Sequence, residues 1–455
     1  MRQIRTPVAF LSGALVAFAF NLAGLGRLAD AARYDDLNLF SSVLDHVRRF
    51  YVEPVDDNDL VRGAVRGMLA ELDPHSTFMD KDAYKEMQVD TRGEFHGLGI
   101  EISKRPDGFI EVVAPIEGTP AARAGIRPRD QIVGICPEER PEDWQEDCRP
   151  TKSMSLFDAV KLMRGPRGST ITLQIFRESF DSPQPYTVTR DVVKIVSVDG
   201  RMLEPGYAYV ALRAFQESTA PDLEATLARL HSESGRSFEG LVLDLRSNPG
   251  GLLDQAVKVA DFFLEDGLIV YTKGRVASQL QEFRASGDGG EPHYPIAILV
   301  NEGTASASEI VAGALQDHHR ALVIGQKSFG KGSVQTVFPL EGGSGLRLTT
   351  ALYYTPGGRS IQEVGIEPDI AVANPVAEAR QVAQLPRRLR EKDLEGHFTH
   401  KDAAPDKAQG DTGDASAETA ASDLQLARAL EVLKSWTYFD RLRGAPKLTE
   451  QASAK

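Results

Sequence analysis

Residues 296–315 read IAILVNEGTASASEIVAGAL. The first five are an unbroken apolar run of strand length, as expected of a strand covered on both faces. From Ser306 small and apolar residues continue at helical spacing. Ser306-Ala-Ser-Glu309 has the form of a capping box, a hydroxyl at the helix start and a glutamate three residues on. A buried strand that runs within a few residues into a helix is the repeating unit of an α/β layer structure.

The same alternation extends on both sides. YAYVAL (207–212) reads as a strand and PDLEATLARLHSES (221–234) as a helix. LVLDL (241–245) is a second strand, followed by a turn and the helix LLDQAVKVADFFL (252–264). After the opening stretch come the strand ALVIG (321–325) and the alternating segment FGKGSVQTVF (329–338). Residues 194–375 are therefore expected to form an α/β core.

Upstream, residues 93–193 hold short strands and two short helices. GLGIEI (97–102), FIEVVAPI (109–116), IRPRDQIVGI (126–135) and STITLQIFR (169–177) read as strands or turn and strand. Pro120–Ala124 and SLFDAVKLMRG (155–165) read as helices. This order, with GTPAARAGIRPRDQI and the AVKLMRG helix, resembles a PDZ domain of the permuted, bacterial kind. The resemblance implies a groove for a polypeptide C-terminus, whose carboxylate would meet the backbone N–H groups of Gly97, Leu98, Gly99 and Ile100. The polar insertion CPEERPEDWQEDC (136–148) carries both cysteines, as a surface disulfide or as two free thiols.

Residues 32–92 read as a helical region. Leu37, Phe40, Val43, Leu44 and Val47 recur at helical spacing, and Asp59 is placed to cap a second helix with Leu60, Ala64, Met68 and Leu72 on one face. Residues 1–31 begin with Arg2 and Arg5 and continue through an almost uncharged apolar run to Gly26. This is the pattern of a signal peptide, with Ala29-Asp-Ala31 as a cleavage site, or of an uncleaved membrane anchor. Either one predicts an exported chain. Residues 376–455 include a polar stretch expected to be disordered (405–422) and a last helix, LQLARALEVLKSW, with Ser422 and Gln425 as its capping pair. Among 455 residues, 52 are basic and 65 acidic, a net charge of −13 that argues against nucleic-acid binding. No histidine–cysteine cluster has zinc spacing, and neither a metal nor a cofactor is expected.

Three turns could carry chemistry. Asp244-Leu-Arg-Ser-Asn-Pro-Gly-Gly-Leu252 joins a strand to a helix, and its glycines can present N–H groups to an oxyanion. Ser306 needs a base if it is a nucleophile. His318 lies about 18 Å away along a continuous helix at ~1.5 Å per residue, too far to serve. His293 belongs to the far end of the preceding strand, and only a distant histidine such as His96 stays open. Lys331, flanked by Gly330 and Gly332, is the alternative base if adjacent parallel strands deliver both segments at their C-terminal ends. It would have to lose its proton through burial. On a strand, Lys331, Ser333 and Gln335 share one face, so Gln335 can orient the lysine. Gly325-Gln-Lys-Ser-Phe-Gly-Lys331 also fits a phosphate loop, but Gly332 stands where Ser or Thr is required, and the following residues alternate as a strand.

TASASEI (304–310), QDHHRALVIGQKSFGKGSVQ (316–335) and LTTALYYTPGGRSIQEVGIEPDI (348–370) jointly resemble the carboxyl-terminal processing, or tail-specific, serine proteases. The resemblance spans residues 35–375. It implies an α/β multidomain chain: a crotonase-like protease core, an inserted PDZ domain, and helical N- and C-terminal regions. It also implies a Ser-Lys dyad of Ser306 and Lys331, with Gln335 as the third member. Thr304 departs from the family pattern, which has serine there. The implied oxyanion hole is the N–H of Ala307 with that of Gly251, or of Gly250 in its place. The implied substrates are polypeptides with apolar C-termini in the periplasm, met by a free or inner-membrane-anchored enzyme. An adaptor or regulator protein and a homo-oligomer are compatible with the resemblance. Two competing readings are a non-catalytic scaffold binding C-termini and a crotonase-like acyl-CoA enzyme.

Overall fold

A computed structural model describes residues 35–105, 108–140, 144–287, 291, 294–373, 390–398 and 423–444. The segment expected to direct export (1–31), His293, Ser422 and the stretch expected to be disordered (405–422) lie outside the described residues. The chain divides into two compact units, residues 1–72 and 73–455.

The first unit contributes two helices, residues 35–50 and Asp57–Ala70. Asp56, rather than Asp59, caps the second, its carboxylate accepting the N–H groups of Asn58 and Asp59. The buried position is Leu69, while Met68 and Leu72 are exposed, so the buried side is turned one residue from the expected row. Among the described residues, no helix is long and apolar enough to cross a membrane.

The second unit starts at Asp73-Pro74, which ends the helical run. Proline removes a donor, and the Asp73 carboxylate takes the N–H groups of His75 and Ser76 in a side-chain turn. Thr77–Met79 then forms a short strand against Gly345–Arg347, a departure from the all-helical expectation. The helix Lys81–Arg92 follows, capped by Asp80 and closed by Gly93 in the left-handed conformation.

The PDZ region is an antiparallel meander of Ile100–Lys104, Ile110–Pro115, Gln131–Pro137, Thr170–Phe176 and Gln184–Thr189. The helices Pro120–Arg123 and Leu156–Met163 complete it, the latter capped by Ser155. Ile110, Val112, Ile132, Ile135, Leu173 and Ile175 alternate inward and are fully buried. Cys136 and Cys148 form a disulfide that closes the acidic insertion.

The core sheet runs in the order Val198–Glu204, Tyr207–Leu212, Gly240–Asp244, Ile296–Val300, Ala321–Gly325, Ile370–Ala371. Its first pair is antiparallel and the rest are parallel. Helices Thr219–Ser234, Leu253–Asp261 and Ala307–Asp317 cover one face, with Leu223, Val259 and Val311 in the apolar layer. The C-terminal helix Leu424–Gly444 covers the other through Ala429 and Leu433. Asp423 caps that helix, accepting the Leu426 N–H, and ion-pairs with Arg246, which also holds Asp244. A second sheet contains Leu268–Gly274, Gln281–Arg284 and the hairpin Ser333–Pro339/Gly345–Tyr354. Parallel order brings the C-terminal ends of Tyr207–Leu212, Gly240–Asp244, Ile296–Val300 and Ala321–Gly325 to one edge of the core. In open α/β sheets that edge is where ligands bind.

Candidate active site

The turn after Gly240–Asp244 is built around Asn248, a fully buried side chain. Its Nδ2 donates to Leu212 O at 2.9 Å, and its Oδ1 accepts the Gly250 N–H at 2.9 Å. Its carbonyl accepts the Ala305 N–H and the Ser308 hydroxyl, both at 3.0 Å. The asparagine thus ties this turn to the turn of the serine. Gly251 is held in a parallel bridge with Phe215, and a Cβ there would lie 2.2 Å from Phe215 O, so only glycine fits. A Cβ on Gly250 would meet Ser306 Cβ at 2.9 Å, which places this turn directly beside the serine.

Ser306 sits between the strand and the helix Ala307–Asp317 at φ 55°, ψ −115°. A positive φ is costly for serine, on the order of 1–3 kcal/mol, and recurs where a nucleophile is exposed on a sharp strand-to-helix turn. Only half of the capping box forms. Glu309 Oε2 accepts the Ser306 N–H at 2.7 Å, but the Ser306 hydroxyl makes no capping bond. The hydroxyl is thereby left without a structural task. The Ala307 N–H, at the helix start, has no acceptor among the described residues, and neither has that of Gly251. The Gly250 N–H is committed to Asn248. Of the two glycines, Gly251 is the one with a donor to offer. Thr304, which departs from the family pattern, donates its hydroxyl to Leu245 O at 2.8 Å and so fastens the two turns.

Lys331 lies in the loop between Ala321–Gly325 and Ser333–Pro339. The loop opens a strand, not the helix that a phosphate loop requires. Three contacts tie it to the serine turn: Phe329 N–H donates to Thr304 O at 3.0 Å, and the N–H groups of Gly330 and Lys331 donate to Glu309 at 2.7 and 2.9 Å. Glu309 Oε2 accepts both the Ser306 and the Lys331 N–H, so those two nitrogens are no farther apart than these two bonds laid end to end. Burial pushes the Lys331 ammonium below its usual value and Arg347 adds to this; Glu391, Asp73 and Glu309 oppose it. Gln335 donates to Thr349 Oγ1 at 2.8 Å and Ser333 Oγ at 3.2 Å, and its buried Oε1 has no partner among the described residues. The amide oxygen of Gln335 is free to accept from an ammonium donor.

Of the histidines weighed as bases, His318 and His96 lie among the described residues. His318 donates its ring N–H to Leu268 O at 2.7 Å. His96 is exposed in the strand Glu94–Gly97, paired with Asp191–Lys194.

Gly97–Ile100 lies at the start of the PDZ strand Ile100–Lys104. Leu98 O and Gly99 O are bound by the N–H groups of Ala121 and Ile116, both at 2.9 Å, while the N–H groups of Leu98 and Gly99 have no acceptor among the described residues. Gly99 has φ 73°, and a Cβ there would lie 2.3 Å from Thr119 Cβ.

Sequence reasoning missed several groups around the lysine. Asp73 accepts the Ser76 hydroxyl and the Thr349 hydroxyl that also binds Gln335. Half-buried His75 pairs with the fully buried Glu391. The run Asp73-Pro-His-Ser-Thr77 is dense in hydrogen-bonding side chains, a signal that was present. Glu391 lies in a polar tail with no such signal.

Residues 206–372 match peptidase family S41, residues 86–176 match the PDZ domain, and residues 26–83 match the N-terminal domain of the activating protease CtpB. The carboxy-terminal-processing protease of Bartonella bacilliformis is 42% identical over 93% of this chain and 94% of its own length. A carboxyl-terminal-processing protease of Synechocystis sp. is 37% identical, over 72% of this chain and 75% of its own. Carboxy-terminal processing protease CtpA of Bacillus subtilis is 31% identical, over 85% and 79%. With a relative 42% identical over 93% of its length and family models matching its core and its PDZ region, the chain belongs to the carboxyl-terminal processing serine proteases of peptidase family S41.

Proposed function

We propose that Ser306 is the nucleophile and Lys331 the general base of this peptidase. Neutral Lys331 takes the hydroxyl proton as Ser306 Oγ attacks the scissile carbonyl. The N–H groups of Gly251 and Ala307 stabilise the tetrahedral oxyanion. Lys331 returns the proton to the leaving amine, and water, activated the same way, releases the acyl group and restores the hydroxyl. Gln335 orients the lysine through its unpartnered Oε1. The observation that carries this reading is the shared Glu309 carboxylate, which binds the backbone of both residues while the Ser306 hydroxyl makes no capping bond.

The substrates we propose are exported polypeptides with apolar C-termini, bound through Gly97–Ile100 and cut near that end, with the PDZ domain gating the site as well as recruiting to it. The apolar segment within residues 1–31 directs the enzyme to the periplasm, free or held at the inner membrane. An adaptor protein and self-association are further parts of this proposal. The test compares a tailed and an untailed denatured protein as substrates for wild type, Ser306→Ala and Lys331→Ala. Preferential cleavage of the tailed protein by wild type alone is expected. Cleavage by either variant at the wild-type rate contradicts the dyad.

A further inference from the structure

One buried carboxylate has no part in the mechanism above. Glu391 lies on the segment Arg390–Phe398 and is fully buried. His75 Nε2 contacts both of its oxygens, at 2.9 and 2.8 Å, and Gln362 Nε2 donates to Oε1 at 3.0 Å. An isolated carboxylate is costly to bury, and this one is held by a ring and an amide that reach it from distant parts of the chain.

The surroundings of Glu391 lead directly to Lys331. Gln362, fully buried as well, accepts the N–H of Gly332, the lysine's neighbour, on its Oε1 at 3.0 Å. A single amide thus bonds Glu391 on one side and the lysine loop on the other. Glu391 N–H donates to Phe329 O at 3.4 Å, and Glu363 N–H donates to Gly330 O at 2.8 Å. The segment is fastened at its other end by His397 to Glu363 at 2.5 Å and by Gln362 to Phe398 O at 3.2 Å. Gly332 has no room for a side chain, since a Cβ would lie 2.3 Å from Gln362 N. The lysine loop is therefore backed by residues 362–363, and those by the segment 390–398.

We propose that Glu391 is a positioning residue, the buried counter-ion delivered by Arg390–Phe398 that sets how readily Lys331 yields its proton. The inference rests on the reading of Lys331 as the base. The charged groups acting on the lysine are Arg347, Glu391, Asp73 and Glu309. Those facing Glu391 are His75 and Lys331, with His397 and Glu363 beyond. Burial opposes the charged form of Glu391, but the His75 and Gln362 bonds outweigh it and hold the carboxyl below its ordinary value. It stays an anion across the neutral range. An anion held behind the loop of a buried lysine favours the ammonium form and keeps the base in check. Arg347, whose Nε donates to His75 O at 3.3 Å, acts in the opposite sense from the same cluster.

The experiment measures Lys331 directly. Trace acetylation by acetic anhydride, with peptide mass spectrometry at Lys331, is followed against pH in the full chain carrying Ser306→Ala. The same is done with Glu391→Gln and Glu391→Asp added. Parallel kcat/KM profiles use the variants with Ser306 intact. Removing the anion is expected to move the Lys331 inflection, and the acid limb of kcat/KM, down by about one pH unit in Glu391→Gln. Glu391→Asp, which keeps the charge but shortens the side chain, is expected to stay near wild type. A packing role predicts the reverse, because glutamine preserves volume and aspartate does not. An unmoved inflection in Glu391→Gln overturns the proposal. If that variant does not fold, Glu391→Asp decides: an inflection near wild type supports the proposal and one displaced by a unit overturns it. Labelling does not depend on turnover, so an inactive wild-type protein would count against the protease mechanism and leave this result readable.

Discussion

The backbone N–H groups of Ser306 and Lys331 converge on a single oxygen, Glu309 Oε2, at 2.7 and 2.9 Å. Glu309 is fully buried and also takes the Ser328 hydroxyl and the Gly330 N–H. It fixes the relative position of the proposed nucleophile and base without touching the reacting atoms. Glu309→Gln replaces one acceptor oxygen with a donor and should lower kcat by about 10²-fold, with KM little changed, because small misplacements of reacting groups carry such penalties.

The same residue gives a stability prediction. Burial, opposed by the four hydrogen bonds, pushes the Glu309 carboxyl from 4.5 up to about 7. The folded state therefore holds this proton more tightly than the unfolded chain does. The associated stability is fully present below pH 4.5 and is lost as pH rises through about 7, on the order of 3 kcal/mol. Denaturant unfolding of wild type and Glu309→Gln, compared across this window, should show wild type losing stability relative to the variant as pH rises. A constant difference contradicts the assignment.

Lys331 has the opposite sign. Its folded value is depressed, first by burial and then by Arg347, so its contribution is full only above the ordinary lysine value and is lost as pH falls through the depressed one. The site disfavours the protonated form of the lysine. Lys331→Met should therefore raise the melting temperature near pH 7 while reducing kcat by at least about 10³-fold, a trade of activity for stability. A lower melting temperature would mean that the lysine contributes net stability.

Gly251 should tolerate no side chain. Its φ of 142° and the 2.2 Å approach of a Cβ to Phe215 O mean that Gly251→Ala displaces the turn that offers the N–H. The loss expected for one oxyanion donor is about 10²–10³ in kcat. Steady-state kinetics on a short peptide, with melting curves as the fold control, checks it.

In the PDZ region, Gly99→Val should abolish binding of a peptide with an apolar C-terminus, because a Cβ would collide with Thr119. Fluorescence polarisation measures that binding. Cleavage of an untailed peptide by the same variant separates recruitment from gating: loss of binding with unchanged cleavage assigns the groove to recruitment alone, and reduced cleavage assigns it gating as well.

The α/β layering and the PDZ meander were legible because unbroken apolar strands and capped helices signal locally, as in IAILV (296–300) and the Ser155-capped helix. The proposal of Ser306 as nucleophile rests, in the sequence, on its distant lysine rather than on its own surroundings, where the capping pattern of Ser306 and Glu309 points to a structural role. That pattern was half right: Glu309 reaches back as a capping glutamate should, but the serine does not answer. The counter-ions of Lys331 were not legible. They arrive from Asp73, Glu309 and Glu391, and only the fold brings such sequence distances together. The proposal of Gly251 rather than Gly250 rests on Asn248, whose side chain consumes one N–H and not the other, a distinction that composition cannot carry.

The central claim is that Ser306 attacks only with Lys331 to take its proton. It is tested most directly by reacting the protein with a fluorophosphonate and locating the adduct by peptide mass spectrometry in wild type and Lys331→Ala. A single adduct on Ser306, formed at least about 10³-fold more slowly in Lys331→Ala, is the result expected. An adduct on Ser308 or Ser333, or labelling of Ser306 at the wild-type rate without the lysine, would contradict it.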